Sequence, residues 1–192
     1  MHAKKTNKTK LAVVLLAVVL LIGCTAGATL AWLMDSTPAV VNTFTYGDIN
    51  IDLTETTGND YTIIPGTEEA KDPKVTVKAK SEDCWVFVKI VEENNTAAAD
   101  LDYVTWAIAA DWTKLDGVEG VYYREYTTSA TDTDYKVLAN DKVTYSGELT
   151  KAMLNALDAN GTANYPTLTF TAYAVQAEAA TTAAEAWAIA NP

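Results

Sequence analysis

Histidine is almost absent from this chain: His2 is the single one in 192 residues. Past the first ten residues there is no imidazole for a catalytic triad, a zinc site or a general base that titrates near neutrality. Cysteine is nearly as scarce, with only Cys24 and Cys84. The motifs that usually carry chemistry, C-x-x-C, H-E-x-x-H and a glycine-rich phosphate loop, are missing. The 25 acidic residues ensure that some carboxylates lie close in space, but no spacing singles out a glycosidase pair. The reading is therefore a protein that is not an enzyme and calls for no cofactor and no metal. Asp100-Leu101-Asp102 and Asp132-Thr133-Asp134 come nearest to a calcium site. Neither continues into a D-x-[DN]-x-[DN]-G loop, so both read as solvated acidic loops. Cys84 has apolar flanks and reads as a small buried hydrophobe, not a reactive thiol.

Positive charge is also short, and much of it sits at the start. Lys4, Lys5, Lys8 and Lys10 precede an unbroken apolar run from Leu11 to Ile22, after which small residues follow at Gly23, Thr25, Ala26, Gly27 and Ala28. A basic region, a short apolar core and a small-residue region are the parts of a secretory signal peptide. Residues 11–34 hold 24 uncharged positions, enough to span a bilayer, so a permanent anchor is the alternative. Three processing sites compete. Ala26-Gly27-Ala28 and Thr29-Leu30-Ala31 both fit the small-x-small rule, while Leu21-Ile22-Gly23-Cys24 reads as a lipobox that would make Cys24 a lipidated first residue. Cleavage after Ala31 leaves 161 residues, one domain's worth. It also removes four of the 14 basic residues and none of the 25 acidic ones, for a formal mature charge of −15. Such a charge repels nucleic acid and anionic membranes. Contact with a membrane is then confined to export or to a lipidated Cys24.

From residue 48 onward, period-two alternation dominates. Asp48–Thr54, Lys74–Lys80, Val121–Tyr126, Lys142–Tyr145 and Thr167–Val175 read as strands, and Val104, Trp106 and Ile108 share one face of another. Cys84–Val91 is apolar on both faces until Lys89, the mark of a central strand. Val86, Val88 and Ile90 should be buried beside Cys84, with Phe170 in the same core. Asn94–Asp100 reads as a surface loop. Pro65-Gly66, Gly58-Asn59, Asp116-Gly117 and Asn160-Gly161 are turn signals. Thr150 is placed to cap a helix from Lys151, and Thr182-x-x-Glu185 to open another over 183–190 that docks through Trp187. The sum is an all-β, antiparallel β-sandwich over 48–192 with short peripheral helices, preceded by a signal helix at 1–31 and an extended segment at 32–47.

The order of these blocks resembles the TasA/camelysin-like proteins of Gram-positive bacteria. Gly27–Asp35 is similar to that family's cleavage region, Val41–Ile49 to its N-x-F-x-x-G block, Pro65-Gly66 with Lys71–Val77 to its second, and Leu168–Gln176 with Ala183–Trp187 to its ending. Gly27-Ala28 stands where many members have Gly-Gly, and Cys24 is unusual among them. The resemblance implies a jelly-roll β-sandwich, secreted to the cell surface, that self-associates into biofilm matrix fibres. It also implies processing by a dedicated signal peptidase between Ala31 and Trp32. The segment so exposed carries Trp32 and Leu33 at one end and Val40 and Val41 at the other, and reads as a strand donated to a neighbour. The alternative is a monomeric surface lipoprotein that binds a ligand and is anchored through Cys24; a secreted hydrolase ranks below both. N-terminal sequencing of the exported protein should begin at Trp32. A start at Thr29, or a diacylglyceryl group on Cys24, contradicts that processing.

Overall fold

Strands form where the sequence alternates, and their pairing follows the lengths of their apolar runs. In the computed structural model, which describes residues 48–58, 61–98 and 100–191, the longest run becomes the central strand. This is β4 (Cys84–Glu93), flanked on one side by β12 (Thr167–Gln176) and on the other by β9 (Val121–Tyr126), with the two-residue β8 (Thr113–Lys114) beyond. All pairings are antiparallel. Ten residue pairs join β12 to β4, from Thr167 opposite Glu93 to Gln176 opposite Cys84. Gly120 fixes the start of β9. It lies at φ +68°, its carbonyl accepts from Ile90 N–H at 2.7 Å, and a Cβ there would stand 2.2 Å from Ile90 O. Only glycine fits such an approach.

Two smaller sheets of three strands accompany it. One is ordered β1 (Ile51–Thr54), β3 (Lys74–Val77), β10 (Thr133–Lys136); the other β2 (Glu68–Ala70), β11 (Lys142–Tyr145), β7 (Val104–Thr105). A hairpin of β5 (Thr96–Ala98) and β6 (Leu101–Asp102) stands apart. The large sheet, β3 and β11 share one core. Val75 and Val77 from β3 meet Cys84, Val86, Val88 and Ile90 from β4, with Val143 from β11 and the link residues Val137 and Leu138. The opposite face of the large sheet is covered too. Phe87, Val121 and Val175 pack under α2 (Ala183–Ala190), whose Trp187 ring lies 5.3 Å from Phe87 and 5.2 Å from Tyr173.

Both helices start where their caps predict. Thr150 Oγ1 accepts from Met153 N–H at 3.3 Å at the head of α1 (Lys151–Ala159), and Thr182 Oγ1 from Glu185 N–H at 3.2 Å at the head of α2. Gly161, at φ +81°, ends the first. At nine and eight residues, neither helix is long enough to cross a membrane. The described residues thus form an all-β fold of antiparallel sheets with two short helices.

Some expectations need correction. Residues 94–100 are not a plain loop, because Thr96–Ala98 pairs as β5. Asp132-Thr133-Asp134 runs into β10, a strand read as a loop from its acidity. The strand over 48–54 begins only at Ile51, and the one over 74–80 ends at Val77, before Lys80 turns to φ +66°. Phe170 packs against the shared core but is only half-buried, because β12 is the outermost strand of its sheet among the described residues. Phe87→Ala should therefore cost about 3–5 kcal/mol in urea unfolding, the range for a large ring removed from a closed core. Phe170→Ala should cost less, about 1–3 kcal/mol. Equal losses would place both rings in equally closed surroundings.

Candidate functional site

The outer face of the β1–β3–β10 sheet shows what its acidic residues do. Register sets Asp52, Thr76 and Asp134 in one row. Lys78 Nζ reaches Asp52 at 2.8 Å and Asp132 at 3.4 Å, Lys74 Nζ reaches Asp134 at 2.8 Å, and Thr76 Oγ1 donates to Asp134 at 2.6 Å. Asp132 also accepts from Ala79 N–H at 2.8 Å. Lys74 at the head of β3 and Lys78 just past its end thus occupy the carboxylates that made residues 132–134 a cation candidate. The Asp134 carboxyl is held below its ordinary pKa, chiefly by Lys74 and Thr76, and that of Asp132 chiefly by the Ala79 amide. No group of three or more acidic, cysteine or histidine side chains among the described residues is placed to hold a metal ion. Asp100, at φ +59°, turns the β5–β6 hairpin, and Asp102 lies on β6. Cys84 is buried, and burial pushes its thiol up to about 11, which keeps it protonated and inert at neutral pH. Cys24, Ala31, Trp32, Leu33, Val40 and Val41 lie outside the described residues.

Two features of the fold can act on other molecules. The first is the edge of β12. Its inward row, Leu168, Phe170, Ala172 and Ala174, is only half-buried, whereas Ile90, Val88 and Val86 opposite the last three are closed. Among the described residues β12 pairs with β4 alone, so one side of a ten-residue strand presents unpaired backbone groups.

The second is a cleft of about 650 Å³ between the loop that follows β1, the β2–β11–β7 sheet, α1 and the start of β12. Lys71 lies at its base, buried, with Nζ 2.7 Å from Glu55 and 4.8 Å above the Tyr61 ring; the Phe170 ring is 5.5 Å away. Asp72 holds the loop that forms one wall. It accepts from the Thr56 and Thr57 amides at 2.9 and 3.0 Å and from the Thr56 hydroxyl, and these bonds hold its carboxyl well below the usual carboxylate range. On the facing wall Glu92 accepts from Trp106 Nε1–H at 2.8 Å and from Asn95 at 2.7 Å. Asn95 itself exchanges bonds with Val104, at 2.7 Å to its carbonyl and 2.9 Å from its amide, which ties β7 to the end of β4. From α1, Asp158 accepts from the Tyr165 hydroxyl at 2.8 Å. The sequence reading singled out none of these cleft residues as functional. Their polar groups come from segments far apart in the chain; Trp106 stood out only as part of a strand face, and Lys71 and Asp72 only as part of a block that resembles the TasA/camelysin-like proteins.

Compared with known proteins, the chain matches no family model, no curated protein and no solved structure. Its function has to be read from the fold, the edge of β12 and the cleft.

The row of depressed carboxylates carries a pH consequence. A folded pKa below the unfolded value of about 3.9 adds stability above that pH and loses it as pH falls towards the folded value. Thermal midpoints should drop as pH is lowered from about 4 towards 2. Asp134→Asn, which deletes one of these carboxylates, should make that drop shallower. An unchanged slope would mean that Asp134 has no special partner in solution.

Proposed function

We propose that this protein is an exported structural subunit of cell-surface or extracellular matrix fibres, built as a jelly-roll sandwich that polymerises by strand addition. It is processed between Ala31 and Trp32, and the segment from Trp32 to Asn42 is the donated strand. The observation that supports this most directly is the half-buried inward row of β12 at an edge left unpaired among the described residues. A strand laid along β12 would pair its free amides and carbonyls and bring the outer flanks of Leu168 and Phe170 out of water. The resemblance to TasA/camelysin-like proteins and the signal-like N-terminus point the same way, as does the lack of catalytic residue types.

Energetics put the weight on the apolar anchors. Each added backbone hydrogen bond contributes about 0.5–1.5 kcal/mol net, while ordering a flexible tail costs about 1–2 kcal/mol per residue. Val40 and Val41 add about 1.5–3 kcal/mol each if fully buried, and so decide the balance. The formal charge of −15 on the mature chain opposes stacking, so salt, or a pH nearer the pI of about 4.4, speeds assembly. Val40→Asp with Val41→Asp should abolish fibres in electron micrographs while circular dichroism still reports a β-rich fold. Fibres from that double variant at the normal rate contradict donor-strand assembly. A mature protein that stays monomeric at high concentration, high salt and low pH contradicts the fibre reading itself.

A further inference from the structure

We propose that the cleft floored by Lys71 is a binding site for a neutral oligosaccharide, with Trp106 as its stacking platform and Asp158 and Glu92 as acceptors for sugar hydroxyls. The inference does not depend on polymerisation, but a strand donated along β12 would border the cleft at Leu168, so the two functions meet there.

The lining sets the ligand's chemistry. Its volume of about 650 Å³ falls within the span of small-molecule sites. Tyr61, Trp106, Tyr145 and Tyr165 line it. Ring faces of this kind suit the C–H face of a pyranose, which is apolar although the molecule is not. The Trp106 indole is fixed in advance by its Nε1–H bond to Glu92 and by an edge-to-face contact with Tyr122, at 6.3 Å and 77°. A platform held from two sides loses little freedom when a ligand arrives.

The polar groups are rich in acceptors. Glu55, Glu92 and Asp158 face the single cation Lys71, so the lining carries excess negative charge and disfavours an anionic ligand. A cationic ligand is disfavoured for another reason. The cation seat against Tyr61 and Phe170 is already filled by Lys71, and the carboxylates are dispersed around the cleft, with no three acidic side chains among the described residues converging on one point. Dispersed acceptors cannot jointly satisfy a point charge, but they suit a ligand that carries hydroxyl donors around its ring. Each of these carboxylates already takes a donor from the protein, Glu55 from Lys71, Glu92 from Trp106 and Asp158 from Tyr165. Each is therefore oriented, with acceptor capacity left for a hydroxyl.

The test uses the mature chain with tryptophan fluorescence and isothermal titration. Chitotriose, cellotriose and maltotriose serve as neutral probes, trigalacturonate as the anionic one and spermidine as the cationic one. At least one neutral trisaccharide should saturate below about 10 mM. Trp106→Ala should weaken it about tenfold or more, through loss of the stacking face. Asp158→Asn, which keeps the shape and removes the charge, should weaken it about fivefold. Where Trp106→Ala fails to fold by circular dichroism, Asp158→Asn decides. The proposal is overturned if no neutral probe binds up to about 10 mM, if folded variants bind as the parent does, or if spermidine or trigalacturonate binds more tightly than every neutral probe.

Discussion

A strand that is dry on both faces leaves almost no room for alternatives in its register, and β4 meets that condition over most of its length. Cys84, Val86, Val88 and Ile90 close the shared core on one side, while Phe87 closes the cluster under α2 on the other. A slip of one residue would turn Trp85, Phe87 and Lys89 into the shared core and carry the valines under α2, so the pairing with β12 and β9 is fixed by which side chains each face can hold. Gly120 adds a steric stop, since no side chain fits against Ile90 O. The remaining layers take their positions from this strand. The β1–β3–β10 and β2–β11–β7 sheets bring Val75, Val77 and Val143 to one face, and α2 brings Trp187 to the other.

With so much of the core decided by β4, the few cations are free to organise the acidic surface. Lys74 and Lys78 lock β10 beside β3, Lys142 pairs with Glu68 across β11 and β2, and Lys136 pairs with Asp141. Exposed pairs of this kind are each worth little, about 0–1 kcal/mol. Their value here is positional, because β2 is only three residues long and β10 turns only Thr133 and Tyr135 inward. Arg124 is the exception. It sits on the core side of β9 with its guanidinium 3.5 Å from the centre of the Tyr135 ring and 5.7 Å from that of Trp112, so β9 and β10 meet through a stacked cation.

How much could be read in advance follows from the same division. Val121–Tyr126 and Lys142–Tyr145 appear as strands with the boundaries expected, and Thr167–Gln176 within a residue of them, because alternation there reports burial directly. Both helices begin at their capping threonines for the same local reason. The three residues of β2 are too few to show a period, and β10 carries its alternation in Thr133 and Tyr135, which the acidic residues between and before them mask in the sequence. Phe170 was placed too deep, because its alternation shows which face it is on but not that its strand is outermost. The cleft was hidden more completely. Glu55, Lys71, Glu92, Trp106 and Asp158 have no common spacing, and only the fold brings them to one place.

The order in which the layers arrive along the chain has a consequence for timing. β12 and α2, which complete both faces of β4, lie within residues 167–190 and follow it by more than seventy positions. A chain that emerges from its N-terminus must hold β4 half-covered until residues 167–190 are free. During that interval it lacks the native contacts that would resist unfolding. Under the export proposed above, that delay lets the final closure take place on the far side of the membrane.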